Sequence, residues 1–514
     1  MNALFPQALS MDYQIKLSES EKKKLRFLFI NPATTISESP YVPLGIAYLA
    51  AILEQNNIFV CCLDYQIEEL DFQKLRRLIK DKAIDIVGIT STTPAIVNAY
   101  KITNFIKKLN PKIKILMGGI HPTVLPEEAL RHGVDIVVRG EGERTFTELV
   151  PFLNGEKAKN LVNIKGISYF ERQRETSSAY FERQRETSSA YKAGKNFIHN
   201  VPQERIIDLD NIPFPARHLF EFPQKYMPFL KLKKDEYSAH LISSRGCTGK
   251  CVFCNKQIFS RQIASRSAEN IVEEIKMLKD KYGIKEISFA DDFFTFDAKR
   301  VKEICRLLIK EKLNIKWACS NTRVDVIDKK MFELMKTSGC YRVLFGVESG
   351  NNQVLKKIGK DITLGEVKKA FKMAQKTGLL TGGYFIIGHH VDTPRTINQT
   401  IKFAKDLEAD AVQFTINTPF PGTALYQILK NKGWLLSENW EDYQMFEKPL
   451  FFTDKLTPGF ILKMYRKAWL TCYLFNYKFI LKHLKKLFSS KENFYFYLLS
   501  LKQVLKRFLG KRLY

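Results

Sequence analysis

Acidic residues are scarce in this chain: 54 Asp and Glu stand against 81 Lys and Arg, a formal excess of 27 positive charges over 514 residues. The shortage is uneven. From Phe460 onward there is one acid, Glu492, against thirteen Lys and Arg. Long apolar runs are missing too. Nothing reaches the roughly eighteen consecutive apolar residues of a bilayer-spanning helix, and no secretory signal opens the chain. A cytoplasmic protein, at most peripheral to a membrane, is expected. Cysteine is sparse, and nine is an odd number that suits a disulfide framework poorly. No second Cys pair or nearby His pair accompanies its one dense run. The next Cys is Cys305 and the nearest His is His240, upstream, which argues against a closed four-ligand zinc site.

That run is Arg245-Gly246-Cys247-Thr248-Gly249-Lys250-Cys251-Val252-Phe253-Cys254. Three thiolates spaced by four and then three positions can wrap one face of a cubic [4Fe–4S] cluster from a single loop. Such a cube has four irons, so three Cys leave one without a protein ligand. An open position is where a substrate or cosubstrate binds, and the spacing therefore points to a reactive cluster rather than a sealed electron carrier. The scattered Cys61, Cys62, Cys305, Cys319, Cys340 and Cys472 read as small buried apolar residues.

Short apolar runs alternate with amphipathic stretches from Arg26 to about Pro151. Strands are predicted at Phe27–Ile30, Ile58–Leu63, Ile84–Ile89, Ile113–Met117 and Asp135–Val138, with Leu44–Leu49 in the first helix. This is an α/β pattern, a doubly wound five-stranded parallel sheet over 26–155. Ligands in such sheets sit outside the carboxyl ends of the strands. Those ends carry Thr90, Ser91, Gly118, Gly119, His121, Gly140 and Glu141, where glycines admit a bulky ligand and hydroxyls can bond its polar tail. The segment 156–236 reads as a hairpin and linker. It contains a perfect tandem duplication, Tyr169–Ala179 recurring as Tyr180–Ala190, to which no chemistry is assigned. Strand–helix alternation returns over 237–430, with strands at Ala239–Ser243, Glu286–Ala290, Lys316–Ser320, Arg342–Val347, Thr381–Ile387 and Ala411–Ile416. A basic helical region fills 431–514.

CxxxCxxC with an aromatic, Phe253, before the last Cys resembles the signature of the radical S-adenosylmethionine (radical SAM) superfamily, and Arg266-Ser267-Ala268-Glu269-Asn270 resembles the segment opening its first helix after the cluster loop. The resemblance implies a six-unit partial (β/α) barrel. It also implies a [4Fe–4S] cluster held by Cys247, Cys251 and Cys254, whose open iron chelates S-adenosylmethionine and whose reduction cleaves it to a 5′-deoxyadenosyl radical. By the same resemblance Phe253 lies near adenine, one of Asp291 and Asp292 accepts the methionine ammonium while the other caps a helix or meets substrate, and Glu348 with Ser349 faces the ribose. Arg323 is a candidate carboxylate partner, or it pairs with Asp325 as scaffolding. Relatives read G-x-P-G-E-T where this chain has Gly388-His389-His390-Val391-Asp392-Thr393. The departure offers His389 and His390 as acid/base or substrate contacts, against a purely structural role.

Pro43-Leu44-Gly45, Gly118-Gly119-Ile120-His121-Pro122, Gly140-Glu141-Gly142-Glu143 and Thr418–Tyr426 resemble the cobalamin-linked subfamily that includes class B radical SAM methyltransferases and anaerobic porphyrin cyclases. A cobalamin cofactor is implied. The DxHxxG motif that supplies a lower His ligand in cobalamin mutases is absent, so the cobalt is expected to lack one. The resemblance implies methylation of an unactivated carbon. The alternatives are radical cyclisation or rearrangement without methyl transfer and, as a different class, a non-catalytic cobalamin carrier, which the complete Cys triad disfavours. Expected partners are a small-molecule substrate, lipid-like or anionic, and an electron donor such as flavodoxin or ferredoxin. Two amphipathic helices are predicted in the tail, one over Tyr477–Phe488 and one over Phe494–Phe508. They suit packing with transient membrane contact; nucleic acid is the disfavoured reading.

Overall fold

The structure is a computed structural model of the chain and describes residues 11–15, 25–33, 40–155, 160–171, 196–226, 236–326 and 328–487. The chain divides into two compact units, one of Met1–Phe222 with Gln257–Phe259 and one of Pro223–Lys256 with Ser260–Tyr514.

In the first unit five parallel strands, β1 (Arg26–Asn31), β2 (Phe59–Asp64), β3 (Ile86–Thr90), β4 (Lys114–Gly118) and β5 (Ile136–Val138), run in the order β2-β1-β3-β4-β5. Phe27, Leu28, Phe29 and Ile30 are all buried, as are Ile136 to Val138, because helices cover both faces of the sheet. The order reverses between β1 and β3, so the crevice beyond their carboxyl ends is the place for a ligand. The sheet is longer than the sequence suggests. β6 (Ile167–Phe170) and β7 (Phe197–His199) join the β5 edge antiparallel and extend it to seven strands. Pairing the otherwise open edge satisfies its backbone groups. The hairpin's duplicated residues beyond Glu171 lie outside the described residues, apart from the strand itself.

In the second unit β8 (Tyr237–Leu241), β11 (Ile284–Phe289), β12 (Lys316–Thr322), β13 (Cys340–Glu348), β14 (Leu380–Ile387) and β15 (Ala411–Ile416) pair in chain order, all parallel. A short antiparallel ribbon, β9 (Ser244–Arg245) with β10 (Ala264–Ser265), follows β8. The connecting helices begin where the sequence places caps. Ser267, Asp297, Asp328, Thr363, Thr393 and Thr423 each accept a backbone N–H of the helix they precede, satisfying donors that no helical carbonyl reaches. The carboxyl ends of β11, β12, β14 and β15 therefore lead through short loops into capped helices, and that of β8 into the longer Cys loop.

Beyond the sheet, the helix Pro458–Trp469 buries Ile461, Met464, Tyr465, Ala468 and Trp469, with Trp469 edge-on to Phe414 of β15. The predicted tail helix is present as Tyr477–Leu487; the second, Phe494–Phe508, lies outside the described residues. No helix among the described residues is long and apolar enough to cross a membrane.

Candidate cluster and cofactor sites

The Cys loop leaves the β9 ribbon through Gly246, whose φ of +92° is open only to glycine without strain. The Gly246 N–H donates to Asp292 Oδ2 at 3.2 Å, fixing the loop's first turn to the end of β11. Further on, Val252 N–H donates to Ile358 O at 3.0 Å, Leu425 N–H donates to Val252 O at 2.9 Å, and the Asn255 amide donates to Pro421 O at 2.9 Å. Gly359, at φ +71°, lies so near that a Cβ there would stand 2.5 Å from Lys250 O. The loop is thus held on three sides by contacts that do not involve its thiols.

Those thiols face one another. A methyl group at Gly249 would lie 3.4 Å from the Cys247 sulfur and 3.9 Å from that of Cys251, so both sulfurs flank this glycine. The Gly249 N–H points at Cys247 Sγ, 3.5 Å away. A hydrogen bond between Cys251 and Cys254 lowers the Cys251 thiol and raises that of Cys254, as expected for two thiols sharing a proton in the absence of iron. Among the described residues no three His, Cys, Asp or Glu side chains close on one ion-sized point. A cube presents a separate iron to each thiolate, so its ligands stand around a cluster rather than around one ion. The three Cys fit that group.

Cations surround the loop. Arg323 Nη1 is 3.7 Å from the same Gly249 position, while its guanidinium binds Asp325 at 3.0 and 2.7 Å. Of the two expectations for Arg323, the pairing with Asp325 is what the structure shows; the guanidinium also lies beside the loop, near enough for Cys247 and Cys251 to act on its charge. Lys360, which belongs to none of the sequence motifs, is a second cation here. Its ammonium bonds Glu348 Oε1 at 3.0 Å. Burial alone would lower its pKa, but Glu348 and then Cys251 hold it above the ordinary value.

Glu348 itself adopts φ +68°, and the β13–β14 register slips between Gly346 and Glu348. A similar slip between Cys319 and Thr322 accompanies Asn321 at φ +56°. Strained non-glycine residues and bulges at strand ends re-aim side chains and gather at functional sites. Asp291 and Asp292 separate clearly. Asp291 is buried and accepts from Ser243 N at 2.7 Å, Ser243 Oγ at 2.5 Å and Ser244 Oγ at 2.6 Å. Burial raises its pKa against Arg300 and these hydrogen bonds. Asp292 is exposed, with Gly246 N–H on one oxygen. Ser349 is fully buried with its hydroxyl 3.2 Å from Thr400 Oγ1.

His389 is buried between Phe253, whose ring centroid is 5.8 Å away, and Glu348 O, 3.4 Å from Nε2. Its backbone N–H donates to Asp392 Oδ2 at 2.8 Å, and its ring Nδ1 has no hydrogen-bond partner among the described residues. Burial lowers the His389 pKa from 6.5 to about 4 and raises that of Asp392 from 3.8 to about 6. The two act on stability with opposite sign. Between pH 6.5 and 4 the unfolded chain binds a proton at His389 that the folded chain refuses, so stability falls as pH drops. Asp392 binds its proton more readily when folded, so it contributes stability as pH drops through 6. Replacing His389 with Asn removes the first effect and leaves the second. Melting curves at pH 7 and pH 5 should show a smaller loss of Tm for the variant than for the wild type; equal losses would contradict this assignment.

In the first unit the loops after β3, β4 and β5 meet. Ser91 N–H donates to Gly118 O at 2.9 Å, and a Cβ on Gly119 (φ +99°) would stand 2.6 Å from Ser91 O and 3.1 Å from Thr90 Oγ1. Gly140 (φ +74°) has open space where its Cβ would be, and its N–H donates to Thr123 Oγ1 at 3.1 Å. Bare backbone beside open space suits a large planar ligand, and these residues fit a corrin with its tail. Two candidates are engaged elsewhere. His121 is buried with Nδ1 3.1 Å from Thr93 Oγ1, and Glu141 pairs with Arg205 and accepts from Ile206 N at 3.1 Å. His121 is thus turned into its own unit rather than presented by its loop.

Comparison with known proteins agrees with this geometry. Residues 241–404 match the Radical SAM superfamily and residues 32–150 the B12 binding domain. An uncharacterized methyltransferase of Pyrococcus horikoshii is 37% identical over 462 residues, covering 88% of this chain and 93% of its own. The anaerobic magnesium-protoporphyrin IX monomethyl ester cyclase of Rubrivivax gelatinosus is 28% identical over 452 residues, covering 85% and 75%. The fold is that of a cobalamin-dependent S-adenosylmethionine radical enzyme, OxsB, with a TM-score of 0.70 at 18% identity over 95% of this chain and 72% of that one. With three thiols gathered on one loop and a glycine-lined crevice in the preceding unit, the chain belongs to the radical SAM superfamily and is one of its enzymes that carries an amino-terminal B12-binding domain.

Proposed function

We propose that the protein methylates an unactivated carbon of a small molecule. The reading is carried by the Cys247–Cys254 loop, built for a cluster with one open iron, in a chain that also has a cobalamin crevice. When bound, the cluster supplies the electron that cleaves S-adenosylmethionine and cobalamin supplies the methyl group. The chain's residues bind and orient. Cys247, Cys251 and Cys254 hold the iron. Asp292, the exposed member of its pair, would accept the methionine ammonium, while Asp291 keeps β8 and β11 together. Arg323 faces carboxylate charge, Phe253 offers an apolar surface to adenine, and Glu348 a ribose acceptor. Thr90, Ser91, Gly118, Gly119 and Gly140 would hold cobalamin, with Glu141 and His121 shaping the loops around it. The electron comes from an acidic carrier such as flavodoxin or ferredoxin, which suits a chain of net charge +27.

Cyclisation is the second reading, supported by the Rubrivivax relative. The two divide on one measurement. The anaerobically reconstituted protein is given methyl-labelled S-adenosylmethionine and a small-molecule extract of its own cells. Labelled methyl in an organic product other than methionine is the expected result. Deoxyadenosine with the label recovered only in methionine and unreacted S-adenosylmethionine points to cyclisation instead, and neither deoxyadenosine nor a methylated product, with an intact reducible cluster, returns the protein to a carrier role.

A further inference from the structure

The helix Tyr477–Leu487 is amphipathic, yet the side turned away from the protein is the apolar one. Lys478 binds Glu408 at 2.5 Å, and Lys482 binds Asp410 at 3.0 Å and donates to Glu408 O at 3.0 Å. These contacts pin one face of the helix to the loop before β15. Behind it, buried Asn476 accepts from Phe479 N–H, and the Phe479 ring stands edge-on to Tyr473 at 4.9 Å. Roughly a third of a turn round the helix from those lysines, and away from Phe479, the exposed face carries Tyr477, Leu481 and Leu484, at i, i+4 and i+7, with exposures of 67%, 54% and 43%. Phe475, at 69%, leads into it. Soluble surfaces seldom present large apolar side chains in a row without a function.

We propose that this face docks the protein on an anionic lipid surface. Charge selects the occupant. No Asp or Glu occurs between Asp454 and Glu492, a stretch that holds nine Lys and Arg, and Lys463, Arg466 and Lys467 of the preceding helix are exposed. Apolar side chains that enter the boundary between headgroups and acyl chains, in a stretch of sequence without acids and beside the exposed cations Lys463, Arg466 and Lys467, are the composition of an interfacial helix. Nucleic acid suits it less, because the row is mainly aliphatic and offers bases little to stack on. The inference does not depend on which reaction the enzyme performs.

The test is flotation of the full-length protein with vesicles of phosphatidylcholine alone or mixed with phosphatidylglycerol. Wild type should float with the mixture, less at high salt, and remain behind with phosphatidylcholine alone. The triple variant Tyr477→Ser, Leu481→Ser, Leu484→Ser alters exposed positions and should keep its melting temperature while vesicle partitioning falls about tenfold or more. A truncation would not serve, since it easily removes the buried core of Pro458–Trp469. Wild type that fails to float, a variant that floats equally, or wild type that binds single-stranded RNA instead overturns the proposal. So does a hydroxyl-radical footprint in which Tyr477 is already shielded without vesicles, which would mean that the chain itself covers the face.

Discussion

Alanine at Cys247, Cys251 or Cys254, one at a time, is expected to remove the cluster and reduce cleavage of S-adenosylmethionine to background while leaving a folded protein. Each thiolate holds a different iron of the cube, so none substitutes for another, and iron should fall from about four atoms per chain to well below that. The fold survives because the loop is anchored through backbone groups: Gly246 on Asp292, Val252 on Ile358 and Leu425 on Val252. Buried Cys305 and Cys319 make the contrast. Both are fully buried, so alanine there opens a small cavity and lowers the melting temperature, but the iron content should stay that of the wild type. Iron analysis and the visible absorption of the reconstituted proteins decide it. A Cys251→Ala protein that retains its full complement of iron would refute the ligand assignment.

The same residues show which parts of the site sequence alone could reach. The Cys loop and the parallel strands were legible because each depends on neighbours in the chain. Thiolate spacing is local, strands buried on both faces are continuous apolar runs, and caps such as Ser267 and Thr423 stand beside the helices they start. The features that escaped depend on distant partners. That one of Asp291 and Asp292 points inward follows from the pleat. Which one it is follows from Ser243 and Ser244, 48 and 47 positions away. The turn of Glu348 to φ +68° comes from a bulge against β14 that no residue type announces. β6 and β7 are only four and three residues long, too short for periodicity to report, and they find their place by completing an edge. Lys360 left one faint sign, a lysine just after a glycine in the loop beyond β13, whose significance lies in a contact twelve residues back.

Lys360 also has the largest expected effect on stability. Its ammonium and the Glu348 carboxylate are each nearly buried, with side chains 11% and 12% exposed. Methionine at 360 keeps the apolar stem but leaves the Glu348 charge without its partner, which typically costs about 3–5 kcal/mol. Denaturant unfolding of the apoprotein should show a loss of that order. Adding Glu348→Gln should recover much of it, since the double variant buries no uncompensated charge, and the coupling between the two sites is read from the cycle. A structural role would end there. Lys360 also lies close enough to Cys251 for its charge to act on the thiol, and reduction adds negative charge to a cluster already bound by three thiolates. Removing the cation should therefore lower the cluster's reduction potential, and neutralising both partners should return it toward the wild-type value, because the net charge beside the cluster is then nearly restored. Potentiometric titration of the three reconstituted proteins separates the outcomes. A Lys360→Met protein that is destabilised but titrates at the wild-type potential would confine Lys360 to holding Glu348 in place.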